Sequence, residues 1–161
     1  MIENKNFYID GKWVPPVKSN DFEVIDPSTE EAFAIISLGS TEDTDKAINA
    51  AKNAFETWKE TTKEERLKLL QKFDEIYNRR WDEMVKAQST EMGAPLDYSS
   101  ETHTQVGADI SKNIIKILKD FNFEYQFDVN SNNHIRHEPI GVCGLITPWN
   151  FPMNQIVLKV I

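Results

Sequence analysis

The sequence predicts an α/β protein in which short antiparallel hairpins come first, three amphipathic helices follow, and a first parallel strand lies near the end. Three observations support this prediction. Turn residues separate short apolar runs before residue 40, apolar residues recur at helical spacing from 41 to 121, and residues 142–146 form a short run rich in β-branched side chains. The last run suits a strand that is buried on both faces.

Two hairpins are predicted at the start. Residues 7–14 contain two strand-like runs around Asp10 and Gly11, a dipeptide that favours a tight turn. Residues 22–25 and 32–36 flank a polar stretch with Pro27, which indicates a second turn. We therefore expect a small antiparallel element ahead of the helices.

Three helices are predicted between residues 41 and 121. The first begins near Ser40, with acidic residues in its first turn that complement the helix dipole. The second begins at a capping box of Thr62 and Glu65 and is expected to run as one long helix to Gly93. The third is expected over 99–121. Their apolar stripes should cover one face of a sheet.

A further hairpin is predicted at 123–138, with a polar loop at 130–133. Its second arm mixes Ile135 with charged and histidine side chains. It is therefore poorly suited to burial on both sides and is expected to protrude. A solvated surface hairpin without a binding role is an equally good interpretation of this composition.

The last twenty residues predict a strand, a tight turn and a helix. Pro148 ends the strand, and Pro152 suits the first turn of a helix. The residues between them would lie at the carboxyl end of a parallel strand, where ligands bind in open α/β sheets. Such a strand needs partners from further βα units. We therefore expect this chain to be the front part of a larger protein, or to be completed by a separate chain.

The run RHEPIGVCGLITPWNFP at 136–152 resembles the start of the cofactor-binding core of the NAD(P)-dependent aldehyde dehydrogenases, and the order of strands and helices is similar over the whole chain. The resemblance implies the amino-terminal part of a Rossmann-type domain. Residues 1–122 would be its hairpins and helices, 123–138 a protruding oligomerisation hairpin, and 139–161 the first, incomplete strand–turn–helix unit of the core. A homo-oligomer follows from the same resemblance.

The resemblance also implies a reaction. A cysteine thiolate attacks an aldehyde to give a thiohemiacetal, a hydride passes to the nicotinamide of NAD or NADP, with NAD favoured, and the thioester is hydrolysed to a carboxylic acid. The nucleophilic cysteine, the general-base glutamate and a glycine-rich turn would belong to later segments. We therefore expect the chain alone to be inactive.

By resemblance, Asn150 is the predicted catalytic residue, and its chemistry suits the role, because a fixed amide N–H stabilises the oxyanion that forms from an aldehyde. By resemblance, the cofactor lies along Ile146, Thr147, Pro148, Trp149 and Asn150. Helical spacing puts Phe151, Gln155 and Leu158 on one side of the last helix, where we expect the aldehyde entrance. Two structural alternatives stay open: Asn150 as the N-cap of the last helix, and Trp149 as a core aromatic residue. No G-x-G-x-x-G fingerprint is present, but the family does not rely on it after this strand.

Cys143 is the single cysteine, yet a structural role is predicted for it, because apolar neighbours in mid-strand would raise a thiol pKa. No metal site is predicted; by resemblance, Val24, Ile25 and Glu91 would be the positions for a monovalent cation. His103, His134 and His137 show no ligand spacing and are expected on the surface.

The composition excludes several classes of function. A net charge of -8 disfavours nucleic-acid binding, and no apolar run is long enough to span a bilayer. The first residues lack the pattern of a secretory signal, so a cytoplasmic location is expected. Two alternatives to the enzyme remain: a non-catalytic binding or assembly module, and a self-sufficient helical domain.

Overall fold

The computed structural model describes residues 1–130 and 132–161. Its first part contains five strands: β1 (Ile2–Asn4), β2 (Phe7–Ile9), β3 (Lys12–Val14), β4 (Asp21–Asp26) and β5 (Glu31–Ser37). β2 pairs with β3 about a turn in which Asp10 and Gly11 both have positive φ, as a type I′ turn requires. β4 pairs antiparallel with β5, so both predicted hairpins are confirmed.

β1 was not predicted. It adds to the other edge of β5 as a parallel strand, with Ile2 opposite Ala34, and gives the order β1-β5-β4. Three residues are too few to show a periodic pattern, so nothing in the sequence distinguished β1 from a loop.

The helices begin where their capping residues predict. α1 (Thr41–Trp58) follows the N-cap Ser40, and α2 (Lys63–Arg79) follows the N-cap Thr62. Both carry a complete capping box, with Asp43 and Glu65 as the acidic partners. Gly93 ends α3 (Trp81–Met92) in the left-handed conformation, as predicted for that residue.

The prediction of one helix from residue 63 to Gly93 is wrong. The chain leaves helical geometry at Arg80, with φ −99° and ψ 21°, and separates α2 from α3. The predicted third helix is also divided. It comprises the short α4 (Leu96–Tyr98), a π-helical turn (Ser99–Thr104) and α5 (Gln105–Asp120). Side chains of α2 and α3 form hydrogen bonds to the π-helical turn, and helical spacing does not reveal these tertiary contacts.

The core lies between α2, α5 and the last helix, α6 (Pro152–Val160). Tyr77, Ala108 and Val157 are buried at its centre. Around them pack partly buried apolar side chains, namely Phe73, Trp81, Met84, Ile110, Met153 and Ile161. α6 is thus held against the helices and the π-helical turn.

The hairpin is present as β6 (Glu124–Gln126) and β7 (His134–Arg136), shorter than the predicted arms. Of the predicted loop 130–133, residue Ser131 lies outside the described residues. The predicted parallel strand at 142–146 is not formed: these residues have no strand assignment and are exposed. A strand exists only through ladder hydrogen bonds, and no described strand pairs with this segment. None of the helices in the described parts of the chain is long and apolar enough to cross a membrane.

Candidate functional site

The predicted cofactor residues lie in one consecutive exposed stretch that leads into α6. Ile146 is 89% exposed and Trp149 is 81% exposed, and Thr147, Pro148 and Asn150 are also exposed. The alternative of Trp149 as a core aromatic residue is therefore wrong for this chain. We call residues 146–150 the entry segment.

Asn150 does not cap α6. The N-cap is Phe151, whose side chain can make no cap hydrogen bond, and Pro152 is the first helical residue, where its missing N–H has no partner to lose. The alternative of Asn150 as N-cap is therefore wrong. Within the described residues, the Asn150 side chain has no intramolecular hydrogen bond, so its amide can donate to another molecule.

Phe151 is fixed by a ring contact. Its ring stacks on the imidazole of His103, with centroids 4.2 Å apart and an interplanar angle of 25°. Tyr98 packs edge-on against the same imidazole at 5.0 Å. The prediction that His103 lies on the surface is wrong, because it is only 3% exposed; His134 and His137 are exposed as predicted.

The π-helical turn that carries His103 is held by three side chains of α2 and α3. The hydroxyl of Tyr77 donates to the carbonyl of Thr104 at 2.8 Å, and the amide of Gln88 donates to the Thr104 hydroxyl at 2.8 Å. The indole of Trp81 donates to the Ser100 hydroxyl at 3.0 Å. The platform beneath Phe151 is therefore attached to the protein core.

The remaining residues of the predicted aldehyde entrance do not form an enclosed passage within this chain. Leu158 is exposed, and Gln155 is partly buried and accepts a hydrogen bond from the ammonium group of Lys159. Gln155 and Leu158 lie on α6, four and seven residues after Phe151.

Cys143 is an exposed free thiol, and its sulfur lies 3.7 Å from the carbonyl oxygen of Gly141. The expectation that it is buried in mid-strand is wrong for this chain, because the strand is not formed. The structure places it seven residues before Asn150, on the same unpaired segment.

The positions considered for a cation lie where α3 packs against β4. Val24 is partly buried in β4, Ile25 is exposed, and Glu91 lies in the last turn of α3. Glu91 is exposed, and partial desolvation raises the pKa of its carboxyl. Across 1–130 and 132–161, no three His, Cys, Asp or Glu side chains come together as a metal site.

A cavity of about 660 Å³ lies elsewhere, between the α1–α2 corner and the β6–β7 hairpin. It is lined by charged and aromatic side chains, among them Lys59, Arg66, Phe123 and Arg136. None of its lining residues belongs to the entry segment. It is therefore separate from the site around Asn150.

Solved structures of α/β proteins share this fold closely, each over about a third of its own length. The aldehyde dehydrogenase of Bartonella henselae is 50% identical and superposes with a TM-score of 0.97 over 99% of this chain and 34% of that one. A mutant of aldehyde dehydrogenase C from Pseudomonas syringae, in complex with NAD+ and octanal, is 36% identical with a TM-score of 0.90 over 95% of this chain and 31% of that one.

The family model described as the aldehyde dehydrogenase family matches residues 13–161, and the chain belongs to this family. It is 42% identical over 161 residues to the 3-succinoylsemialdehyde-pyridine dehydrogenase of a Pseudomonas species. This match covers 99% of this chain and 33% of that protein. The chain thus spans about a third of the length of the relatives that it matches.

Proposed function

We propose that this chain is the amino-terminal third of an NAD(P)-dependent aldehyde dehydrogenase and that it contributes an oxyanion donor and one side of the cofactor site. The observation that carries the proposal is the Asn150 amide. It is exposed, it is not used as a helix cap, and it lies directly before an anchored Phe151 in a member of this family.

Asn150 acts on the aldehyde oxygen. When a thiolate adds to the carbonyl carbon, the carbonyl oxygen gains negative charge, and an amide N–H that is already in position stabilises it. A single donor of this kind lowers the barrier by about 3 kcal/mol in a site that excludes water. A carboxylate at this position would repel the same oxygen. The thiolate, the thiohemiacetal and the thioester would form on a cysteine outside residues 1–161.

The entry segment is suited to a dinucleotide that lies across it. From Pro139 to Leu158 no side chain is charged, in a chain whose residues are 27% charged. No carboxylate of this stretch would therefore oppose the cofactor phosphates, and Ile146 and Trp149 offer exposed apolar surface to a ring. When bound, the nicotinamide accepts the hydride. We favour NAD over NADP because the Pseudomonas syringae relative binds NAD+.

Two further proposals concern the rest of the protein. Residues 1–161 alone should not oxidise aldehydes, because a donor for an oxyanion is without effect when no nucleophile forms one. The β6–β7 hairpin is proposed to take part in homo-oligomer assembly. Both arms of this hairpin are short, and apart from the partly buried Ile135 they are exposed.

To test this proposal, residues 1–161 are fused in place of the amino-terminal third of the Bartonella henselae enzyme, which this chain matches. The product is called the chimera below. We expect aldehyde-dependent reduction of NAD by the chimera and none by residues 1–161 alone. Asn150→Ala should lower kcat about 100-fold to 1000-fold, with a small change in the KM for NAD. Asn113→Ala, an exposed Asn on α5, is the matched control.

The proposal is wrong if the chimera binds NAD and unfolds cooperatively but Asn150→Ala and Asn113→Ala leave the same kcat. It is also wrong if residues 1–161 alone reduce NAD with an aldehyde above the rate of their own Asn150→Ala variant. An alternative function, a non-catalytic assembly module, rests on the charged cavity beside the hairpin. It would be favoured by a chimera that assembles but gains no activity from Asn150.

A further inference from the structure

The contact between His103 and Phe151 joins two parts of the chain that are far apart in sequence. His103 belongs to the π-helical turn between α4 and α5, whereas Phe151 begins α6. Their rings are nearly parallel, and the 4.2 Å between centroids is a close stacking distance. The ring of Phe151 is thereby fixed one residue after Asn150.

Besides this ring contact, one backbone hydrogen bond holds Phe151: its carbonyl accepts from the Gln155 N–H at 3.0 Å. On its amino-terminal side, residues 139–148 pair with no described strand. On its carboxyl-terminal side, α6 is anchored by Met153, two residues after Phe151, and by Val157, six residues after it. The N-cap makes no side-chain hydrogen bond. The ring of Phe151 is therefore the nearest anchored group to the Asn150 amide.

His103 is itself held rigidly. The π-helical turn is a rare geometry that occurs frequently at functional sites. Here the buried residues Ser99, His103 and Thr104 all belong to it, and Tyr77, Gln88 and Trp81 hold it by hydrogen bonds from outside the turn. Tyr98 closes the other side of the imidazole. A movement of His103 would therefore disturb several buried contacts.

The imidazole acts here as a flat, uncharged ring. Burial lowers the pKa of His103, so the neutral form prevails, and its Nδ1 has no hydrogen-bond partner among the described residues. The contact with Phe151 is made by the planar face of the ring and uses neither of its nitrogen atoms as a donor. A phenyl ring would offer the same planar face, whereas a methyl group would leave Phe151 without its stacking partner.

We propose that His103 is a positioning residue for Asn150 and that it acts through the stacked ring of Phe151. This inference rests on the proposed role of Asn150 in aldehyde oxidation. His103 need not touch the substrate. It fixes the backbone at Phe151, so that the preceding amide is aimed before substrate binds, and a displacement of the amide by about 1 Å would cost up to a hundredfold in rate.

The first test measures the position of the chain without any activity. Hydrogen–deuterium exchange of the peptide 149–155 is followed in residues 1–161 for the parent, His103→Ala, His103→Phe and Phe151→Ala. We expect faster exchange in His103→Ala and Phe151→Ala and parent-like exchange in His103→Phe. Ser111→Ala, a fully buried residue further along α5, controls for general loosening of the helices.

The second test measures kcat and KM in the chimera with the Bartonella henselae enzyme. His103→Ala should lower kcat about tenfold to a hundredfold with the KM for NAD nearly unchanged, and His103→Phe should restore kcat. The proposal is overturned if 149–155 exchanges equally in His103→Ala and Ser111→Ala, or if His103→Phe loses as much kcat as His103→Ala. If instead Asn150→Ala keeps full activity, the proposed function fails, and the exchange experiment still decides whether His103 fixes this segment.

Discussion

At the scale of single residues, Tyr77 connects the core to the platform beneath the candidate site. Its ring is buried among core side chains, and its hydroxyl donates to the carbonyl of Thr104 in the π-helical turn. Gly107 makes this approach possible: a Cβ at that position would overlap the Tyr77 hydroxyl and lie 2.8 Å from its Cζ atom. The hydroxyl therefore depends on a residue with no side chain.

Removal of this hydroxyl tests its contribution. Tyr77→Phe keeps the ring but leaves a buried carbonyl without its donor, so we expect the free energy of unfolding to fall by about 1–3 kcal/mol. Urea unfolding followed by circular dichroism measures the change. Tyr125→Phe, on the exposed hairpin, is the control and should have no measurable effect. An equal loss in both variants would contradict the role given to the Tyr77 hydrogen bond.

The same hydroxyl predicts a loss of stability at alkaline pH. Burial raises the pKa of Tyr77 to about 12, whereas the pKa of a tyrosine in an unfolded chain is about 10. The unfolded chain therefore releases this proton first, and the free energy of unfolding falls as the pH rises from about 10 toward 12. Urea unfolding at several pH values should show a shallower fall for Tyr77→Phe. Identical slopes for the two proteins would refute this prediction.

At the scale of elements, the helix starts depend on local capping. Thr62 accepts a hydrogen bond from the Glu65 backbone N–H at 3.2 Å, and the Glu65 carboxylate accepts one from the Thr62 N–H at 2.8 Å. Thr62→Ala should therefore lower the free energy of unfolding by about 1 kcal/mol, whereas Thr62→Ser should keep most of it. Thermal unfolding of the two variants measures the difference. Equal stability would mean that tertiary packing alone determines where α2 begins.

The starts of α1 and α2 could be predicted from the sequence, because the residues of each capping box lie within four positions of one another. The break at Arg80 could not be predicted, because no glycine or proline marks it and helical spacing continues across it. The π-helical turn was equally hidden, since its geometry is stabilised by Tyr77, Trp81 and Gln88 from other helices. In the π-helical turn, tertiary contacts thus override a local preference.

In the candidate site too, features with a local cause could be predicted from the sequence and features with a tertiary cause could not. Asn150 and its neighbours were predicted because their motif is continuous in sequence. His103 was not, since a single histidine in a polar stretch gives no sign that it will be buried under Phe151, which follows 48 residues later. The prediction of a strand at 142–146 was wrong although its sequence pattern is clear, because no described strand pairs with this segment.

At the scale of the whole molecule, exposed large apolar side chains lie both on the amino-terminal strands and near the carboxyl-terminal end of the chain. Five of these side chains belong to the entry segment and α6 and are called the α6 surface below: Ile146, Trp149, Ile156, Leu158 and Val160. Exposed apolar side chains at this density are typical of a surface that another part of a protein covers. Asn150 belongs to the entry segment, so a partner that covers Ile146 and Trp149 would also lie beside the proposed oxyanion donor.

This arrangement predicts that residues 1–161 associate through the α6 surface when they are alone. The apolar side chains there gain free energy when they leave water, by about 25 cal/mol for each Å² that is covered. Sedimentation velocity over a range of concentrations should show association that decreases in the double variant Ile146→Ser and Leu158→Ser. The control Val17→Ser changes an exposed valine outside the α6 surface and should leave this association unchanged. If the parent chain and the double variant associate equally, or if the parent chain is monomeric throughout, the α6 surface is not the site of contact.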